Sequence, residues 1–202
     1  ASFFVNTDED NNQIASFYTG AMAHAGKLSF ARYAPDADLT IITPNDPGAM
    51  IQYVRECKAI GLPFIFDPSQ QTARFSSEDI CEGIDGCFLL SSNEYEFHLI
   101  QEKTGLTDAQ ILDRVGGLVM TMGPAGSRLV INGQEQFVPV APTRWVAEPT
   151  GAGDAYRAGL MRGMQLGLPW GIAGRMGALA AAYCLEQYGP QNHYFTREEF
   201  VA

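Results

Sequence analysis

The sequence predicts an α/β fold with a mainly parallel sheet, helices on both of its faces, and an antiparallel hairpin at its edge. Short runs that are apolar on both alternating faces recur along the chain, which is typical of strands covered on both sides. Helical patterns of ten or more residues lie between these runs, as βαβ units require. The 202 residues suffice for one domain, so residues 1–202 are expected to form a single α/β domain.

The amino-terminal region predicts a strand, a turn and a second strand or loop. Residues 8–12 are rich in Asp and Asn, which favour turns. Phe17 and Tyr18 follow the turn, and core packing is the simplest interpretation of both. Four buried strands are then predicted, at residues 39–43, 63–66, 87–90 and 118–122.

Two helices are predicted between these strands. The first, Pro47–Ile60, places Met50, Tyr53 or Val54, and Cys57 on one stripe, and Gly61 ends it. The second covers residues 93–103, with Tyr95, Leu99 and Glu102 on its stripe and Gly105 after it.

The pattern changes after the fourth buried strand. Residues 126–131 and 134–138 predict two strands, and Asn132-Gly133 between them is a strong hairpin signal. Two long helices follow, at residues 153–166 and 169–187. The second is rich in Gly and Ala, which allow close approach to a ligand or serve tight packing alone.

Composition excludes several classes of function. The chain has 23 acidic and 13 basic residues and a net charge of −10, which argues against a protein that tracks a nucleic-acid backbone. One local site could still bind a small anion. The longest apolar stretch, residues 178–185, is far shorter than the roughly 20 residues of a membrane span. No secretory signal is visible, so we expect a cytoplasmic protein without membrane partners.

The cysteines and histidines predict neither a disulfide framework nor a zinc site. The four cysteines form no CxxC pair, and the three histidines are scattered. Reduced and mostly buried thiols are therefore expected.

The most informative segment precedes the first long carboxy-terminal helix. Gly151, Ala152 and Gly153 have almost no side chain, so backbone N–H groups at the helix start could approach an anion. Asp154 follows them and allows two interpretations. It could interact with the helix dipole, or it could act as a general base for a hydroxyl that attacks a phosphoryl group.

These residues resemble a known family. The segment Thr150-Gly151-Ala152-Gly153-Asp154 is similar to the signature of the PfkB (ribokinase-like) kinases of sugars and nucleosides. The resemblance implies a three-layer ribokinase-like fold and transfer of the γ-phosphoryl of ATP to a hydroxyl. It also implies an anion hole at residues 151–153, a nucleotide contact at Thr150 and Asp154 as catalytic base. The family usually has Asp and Thr where this chain has Glu148 and Pro149.

Three further segments extend the resemblance. The Asn93 and Glu96 pair resembles the family's Asn-x-x-Glu motif, which organises Mg²⁺ around the ATP phosphates. From the residues alone, Asn93 and Glu96 could equally form a helix capping box. Two other segments resemble nucleotide-binding parts of the family, and they supply Thr121, Gly123, Gly126, Ala178 and Ala181. The family often has an Asn near Ala178, so contacts with adenine here must be apolar or from the backbone.

The resemblance also bears on the acceptor and on the extent of the chain. Family members begin with a further third that carries a Gly-Gly motif, the β-lid and the substrate-gripping Asp, and this third is expected to be absent from the chain. Residues 7–22 resemble the corresponding segment of bacterial and archaeal nucleoside kinases of the family, including those called adenosine kinases. A nucleoside, adenosine above all, is therefore preferred as substrate over ribose or a similar sugar. The resemblance leaves a K⁺ requirement and a homodimer open.

Two other functions compete with a kinase. A non-catalytic relative that binds a nucleotide or sugar would keep the same loop, and the Glu148-Pro149 departure favours it slightly. A dinucleotide-binding dehydrogenase is disfavoured because no G-x-G-x-x-G follows an early strand.

Overall fold

A computed structural model describes residues 1–7, 13–32 and 34–201. These residues group into two compact units. The first unit contains residues 1–7, 13–120 and 130–134, and the second contains residues 121–129 and 135–201. The expectation of one domain over residues 1–202 stays a prediction.

The amino-terminal strands form a small sheet of their own. Strands β1 (Ser2–Thr7) and β2 (Gln13–Tyr18) pair antiparallel, with Phe4 opposite Ser16. This confirms the predicted strand–turn–strand, although the turn residues 8–12 lie outside the described residues. The core-packing interpretation of the two aromatic residues is wrong, because Phe17 is 46% and Tyr18 69% exposed.

The main sheet has six strands in sequence order. They are β3 (Thr40–Ile42), β4 (Phe64–Phe66), β5 (Leu89–Asn93), β6 (Gly117–Thr121), β7 (Ser127–Ile131) and β8 (Gln134–Val138). Strands β3, β4 and β5 are parallel neighbours, with Ile42 opposite Phe66 and Phe66 opposite Leu90. Asn132 and Gly133 have positive φ angles of 51° and 72° between β7 and β8, as the predicted hairpin turn requires. The four predicted strands and the hairpin are therefore confirmed.

Helices alternate with the strands. They are α1 (Pro47–Ile60), α2 (Ser77–Ile84), α3 (Glu94–Thr104), α4 (Asp108–Leu112), α5 (Ala152–Gln165), α6 (Trp170–Leu185) and α7 (Arg197–Val201). The four long helices were predicted from the sequence. The short α2, α4 and α7 were not, because two turns or fewer give too little periodicity. None of the described helices has the length and apolar character to cross a membrane.

Capping determines how the first two predicted helices lie on the sheet. In α1, the Asp46 side chain accepts a hydrogen bond from the Ala49 N–H, and the predicted stripe of Met50, Val54 and Cys57 is fully buried. The stripe predicted for α3 is wrong. Phe97 and Ile100 are buried there, whereas Tyr95 is 72% exposed. Apolar residues occur on both sides of α3, so their spacing alone does not indicate which side faces the core. The position at which the helix starts determines which side chains are buried.

The small residues of α5 and α6 allow these two helices to pack closely. A Cβ at Gly159 would lie 2.5 Å from the Met176 carbonyl oxygen, and a Cβ at Gly177 would lie 2.7 Å from the Tyr156 carbonyl oxygen. Both distances are too short for a side chain, so glycine is required at both positions. Tight packing therefore explains a large share of the small residues in α6.

Candidate active site

The start of α5 is a tight loop of small residues. Gly151 caps the helix with φ 89°, and a Cβ there would lie 2.6 Å from the Pro190 side chain. The Ala155 N–H bonds back to the Gly151 carbonyl at 2.9 Å. The Ala152 N–H donates to the Pro149 carbonyl at 3.2 Å, whereas the next two N–H groups of α5 have no acceptor within the helix and lie at the positive end of its dipole. The loop can therefore hold an anion, as its sequence predicts.

A cavity of about 550 Å³ lies beside this loop in the second unit. It brings together seven residues that the sequence resemblance assigns to nucleotide or phosphate: Thr121, Gly123, Gly126, Ala152, Gly153, Ala178 and Ala181. Thr150 and Gly151 lie along the chain between the lining residues Pro149 and Ala152. Segments that are far apart in the sequence thus meet at one cavity.

The cavity wall is mostly apolar, and sequence reasoning missed much of it. Val138, Val140, Val146 and Leu185 line it. The first three belong to a proline-containing stretch, from the end of β8 to α5, that has neither a helical nor a strand period. The only indication of this cavity wall in the sequence was an apolar stretch that fits neither a helix nor a strand. The cavity therefore offers a ligand largely apolar contacts.

Hydrogen bonds attach this stretch to the end of α6. The Ala147 N–H donates to the Leu185 carbonyl at 2.7 Å, and the Trp145 indole N–H donates to the Glu186 carbonyl at 2.9 Å. These bonds satisfy carbonyl groups at the helix end that receive no hydrogen bond from an N–H group within the helix. Glu148 accepts a hydrogen bond from the Gly189 N–H at 2.8 Å. The wall is therefore fixed to α6 and does not depend on a ligand for its position.

Tyr156 is a second lining residue that the sequence did not indicate. Its side chain is buried, and its hydroxyl lies 2.7 Å from the Ser127 hydroxyl. Burial raises the pKa of Tyr156, and the hydrogen bond with Ser127 opposes this only in part. Tyr156 is thus a neutral part of the wall.

Asp154 lies one residue after the lining residue Gly153. Its side chain is 77% exposed, and the Arg157 guanidinium donates a hydrogen bond to Asp154 Oδ1 at 2.5 Å. Arg157 itself is only 19% exposed. Arg128 pairs with Glu135 in the hairpin at 2.7 Å. Arg157 was missed, although its i,i+3 spacing from Asp154 was visible.

Asn93 and Glu96 lie in the first unit, at the carboxyl end of β5. Asn93 Oδ1 accepts from the Glu96 N–H at 2.7 Å, and Glu96 Oε2 accepts from the Asn93 N–H at 2.8 Å. The capping-box interpretation is confirmed. The Ser69 hydroxyl also donates to Glu96 Oε1 at 3.2 Å.

The capping bonds leave acceptor capacity on Glu96, since each carboxylate oxygen has two lone pairs. Among residues 1–7, 13–32 and 34–201, no group of three or more His, Cys, Asp and Glu side chains could hold a metal ion. Mg²⁺ usually keeps several waters and needs only one or two carboxylates beside substrate phosphates. An exposed Asn93 beside a half-buried Glu96 at a strand end fits such an ion.

Curated relatives of this chain are nucleoside kinases by name. The nucleoside kinase of Methanocaldococcus jannaschii is 30% identical over 199 residues, which cover 98% of this chain and 65% of the relative. The nucleoside kinase of Methanothermobacter thermautotrophicus is 29% identical over 201 residues, which cover 94% of this chain and 62% of the relative. The chain thus spans slightly less than two thirds of the length of these relatives.

Solved structures give the same picture. The nucleoside kinase of Burkholderia thailandensis in complex with inosine superposes with a TM-score of 0.88 at 33% identity, covering 98% of this chain and 65% of that chain. The same enzyme in complex with ADP-inosine gives a TM-score of 0.86, covering 97% of this chain and 61% of that chain. The ribokinase-like α/β fold expected from the sequence is thereby confirmed.

The model of the pfkB family carbohydrate kinases matches residues 2–197. That match includes the loop at the start of α5, the residues that line the apolar cavity and the Asn93–Glu96 capping box. This chain therefore belongs to the pfkB family of carbohydrate kinases.

Proposed function

We propose that the protein transfers the γ-phosphoryl group of ATP to a hydroxyl of a nucleoside, with the adenosine 5′-hydroxyl as the preferred acceptor. The observation that carries this proposal is the convergence of the predicted nucleotide residues on one cavity at the start of α5. Its volume of about 550 Å³ is in the range of small-molecule sites.

The two ends of ATP are assigned to different parts of this cavity. The adenine ring contacts Ala178 and Ala181, where small apolar side chains leave room for a flat ring. Thr121, Gly123 and Gly126 border the nucleotide. The phosphates lie toward Thr150 and residues 151–153, where α5 begins.

Asp154 is the proton acceptor in this proposal. As the acceptor oxygen bonds to the γ-phosphorus, the bond from that phosphorus to the β–γ bridging oxygen breaks and ADP leaves. The proton of the hydroxyl passes to the Asp154 carboxylate. N–H groups in the first turn of α5 stabilise the negative charge that spreads over the transferred group.

Asn93 and Glu96 would hold the Mg²⁺ ion that the family uses. An Mg²⁺ ion held by these residues would supply positive charge to nucleotide phosphate groups. A K⁺ requirement, a homodimer and a cytoplasmic location stay predictions.

A nucleoside acceptor is supported by the relatives. The relatives described above carry the name nucleoside kinase, and the Burkholderia thailandensis enzyme was solved with inosine and with ADP-inosine. The exposed Phe17 and Tyr18 on β2 offer aromatic faces on which a base can stack. The preference for adenosine rests on the resemblance of residues 7–22 to nucleoside kinases of the family, which include those called adenosine kinases.

The test is a substrate panel with this chain. ATP and Mg²⁺ are incubated with adenosine, inosine, cytidine or ribose, and ADP and the phosphorylated product are quantified by chromatography and mass spectrometry. The expected result is a nucleoside monophosphate in amounts equal to ADP, with adenosine the best acceptor. Phosphorylation of ribose alone would contradict a nucleoside kinase. Nucleotide and nucleoside binding without any product would support the non-catalytic relative.

A further inference from the structure

Ser69 has a backbone conformation that serine rarely adopts. Its φ is 45°, and Asn132 is the other non-glycine residue with positive φ in the described ranges. Asn132 lies in a two-residue hairpin turn that requires this conformation. Ser69 lies at the start of a short 3-10 helix, Ser69–Ala73, where no hairpin turn explains it. Backbone strain of this kind persists only where the surroundings impose it.

Both ends of the segment around Ser69 are attached to neighbouring elements. The Asp67 N–H donates to the Ile42 carbonyl of β3 at 3.0 Å. The Lys103 ammonium of α3 donates to the Ala73 and Phe75 carbonyls at 2.7 and 2.6 Å. The segment is therefore held between β3 and α3, and the conformation of Ser69 is fixed from outside.

This conformation brings the Ser69 hydroxyl to Glu96. Glu96 Oε1 accepts from Ser69 Oγ at 3.2 Å, while Glu96 Oε2 accepts from the Asn93 N–H at 2.8 Å. The two oxygens of one carboxylate are thus held by two different elements. In the capping box of α2, by contrast, Ser76 supplies both bonds to Asp79 Oδ2. The bond from Ser69 is an addition that a helix cap does not need.

Unsatisfied polar groups surround the same segment. The side-chain oxygens of Gln71, Thr72 and Ser92 are buried and have no hydrogen-bond partner within the described part of the chain. Buried polar groups of this kind are usually satisfied by ordered water. Strain and buried oxygens together indicate that this strand edge is shaped for hydration or binding, not for packing alone.

We infer that Ser69 is a positioning residue, which orients the Glu96 carboxylate toward the Mg²⁺ that accompanies the nucleotide. The inference rests on the proposed function, because Glu96 has its metal role only there. Ser69 acts through Glu96: its hydroxyl takes one lone pair of Oε1 and restricts the side-chain rotamer. Residues that orient a metal-organising carboxylate change metal affinity by about 10- to 100-fold when they are removed.

The test compares Ser69→Ala, Ser69→Gly and the matched control Ser76→Ala. Calorimetry measures ADP binding as Mg²⁺ is varied and again in excess EDTA, and thermal unfolding gives Tm. Both Ser69 variants are expected to raise the Mg²⁺ concentration for half-maximal binding by about 10-fold. ADP affinity in EDTA should stay within about twofold. Ser69→Gly should keep or raise Tm because glycine relieves the positive φ, and Ser76→Ala should lower Tm without changing the Mg²⁺ dependence.

The outcomes separate this inference from the proposed function. Equal losses of ADP affinity with and without Mg²⁺, or a change in Tm alone, would overturn the role of Ser69. Wild-type protein whose ADP binding ignores Mg²⁺ would overturn it as well. A selective Mg²⁺ effect in a protein that phosphorylates no nucleoside would support Ser69 and contradict only the nucleoside kinase proposal.

Discussion

At the scale of single residues, the proposed mechanism depends on Asp154 as the proton acceptor. The carboxylate is exposed in the first turn of α5, directly after Gly153 of the cavity. We expect Asp154→Asn to lower kcat by about 10²- to 10⁴-fold, since removal of a general base costs this much. ADP affinity should change less than about threefold. The amide has a similar size, and the negative charge that it removes does not attract the phosphates. Steady-state kinetics and calorimetry measure both.

Glu78→Gln is the control for Asp154→Asn. Glu78 is also an exposed acid in the first turn of a helix, here α2. It tests the loss of a favourable dipole interaction at a residue that does not line the cavity beside α5. Unchanged turnover in Asp154→Asn would remove Asp154 from the mechanism and leave only its interaction with the helix dipole.

Arg157 is placed where its charge needs a counterion. A cation near the start of a helix opposes the helix dipole, so the bond of 2.5 Å to Asp154 offsets this cost. If Arg157 orients the carboxylate, Arg157→Ala should lower kcat by about 10-fold with little change in ADP affinity. The double variant with Asp154→Asn should then be no slower than Asp154→Asn alone, because both changes remove one function. Additive losses in kcat would show that Arg157 acts independently of Asp154.

The sequence predicted these residues unevenly. The loop at residues 150–154 could be found because glycines directly before a helical period indicate a backbone that must approach a ligand or a neighbouring chain segment closely. Tyr156 could not, because its hydrogen bond with Ser127 joins residues 29 positions apart, and the i,i+3 spacing of Arg157 from Asp154 does not by itself indicate a contact. Ser69 was equally hidden, since its bond to Glu96 joins residues 27 positions apart.

At the scale of elements, the regular parts were predictable and the irregular wall was not. The sequence predicted α1 to the residue, because proline follows the capping Asp46 and Gly61 ends the helix. It missed the wall between β8 and α5, whose position depends on hydrogen bonds to the end of α6. It assigned α3 the wrong buried face, because its apolar residues occur on two sides.

The small side chains of α6 provide a test of the cavity. Ala178→Leu adds three carbons inside the cavity, so we expect it to weaken ADP binding by at least about 10-fold through loss of room for the ring. Ala158→Leu on α5 is the matched control, because it makes the same change at an exposed position outside this cavity. Calorimetry with ADP and thermal unfolding compare the two. Equal ADP affinities in the two variants would place the adenine ring elsewhere.

At the scale of the whole molecule, a negative net charge is compatible with a site that binds negatively charged phosphate. The chain has a net charge of −10, yet its proposed phosphate site relies on backbone N–H groups at a helix start. Such groups act over a few ångströms and need no cationic surface. An acidic protein can therefore bind ATP locally while its long-range field keeps polyanions such as nucleic acids away.

The buried thiols lead us to predict that the fold loses stability at alkaline pH. All four cysteines are free, and burial raises the pKa of Cys57 to about 11 and that of Cys87 to about 12. In the unfolded chain both ionise near the ordinary value of about 9. Below pH 9 the folded and the unfolded state both keep these protons, so the two buried neutral thiols make their full contribution to the free energy of unfolding. Between pH 9 and about 11 to 12 only the folded state keeps them, so the free energy of unfolding falls as the pH rises.

We expect the two thiols together to remove about 2 kcal/mol of stability between pH 8 and pH 10. Urea unfolding followed by circular dichroism at the two pH values measures this loss. The control is the double variant Cys57→Ala and Cys87→Ala, which should be less stable at pH 8 because it leaves cavities. Its loss between pH 8 and pH 10 should be smaller by about 2 kcal/mol, since the titrating groups are gone. If wild type and double variant lost the same free energy, the alkaline sensitivity would come from other titrating groups, such as Cys184, whose pKa burial also raises, or the tyrosines, and not from Cys57 and Cys87.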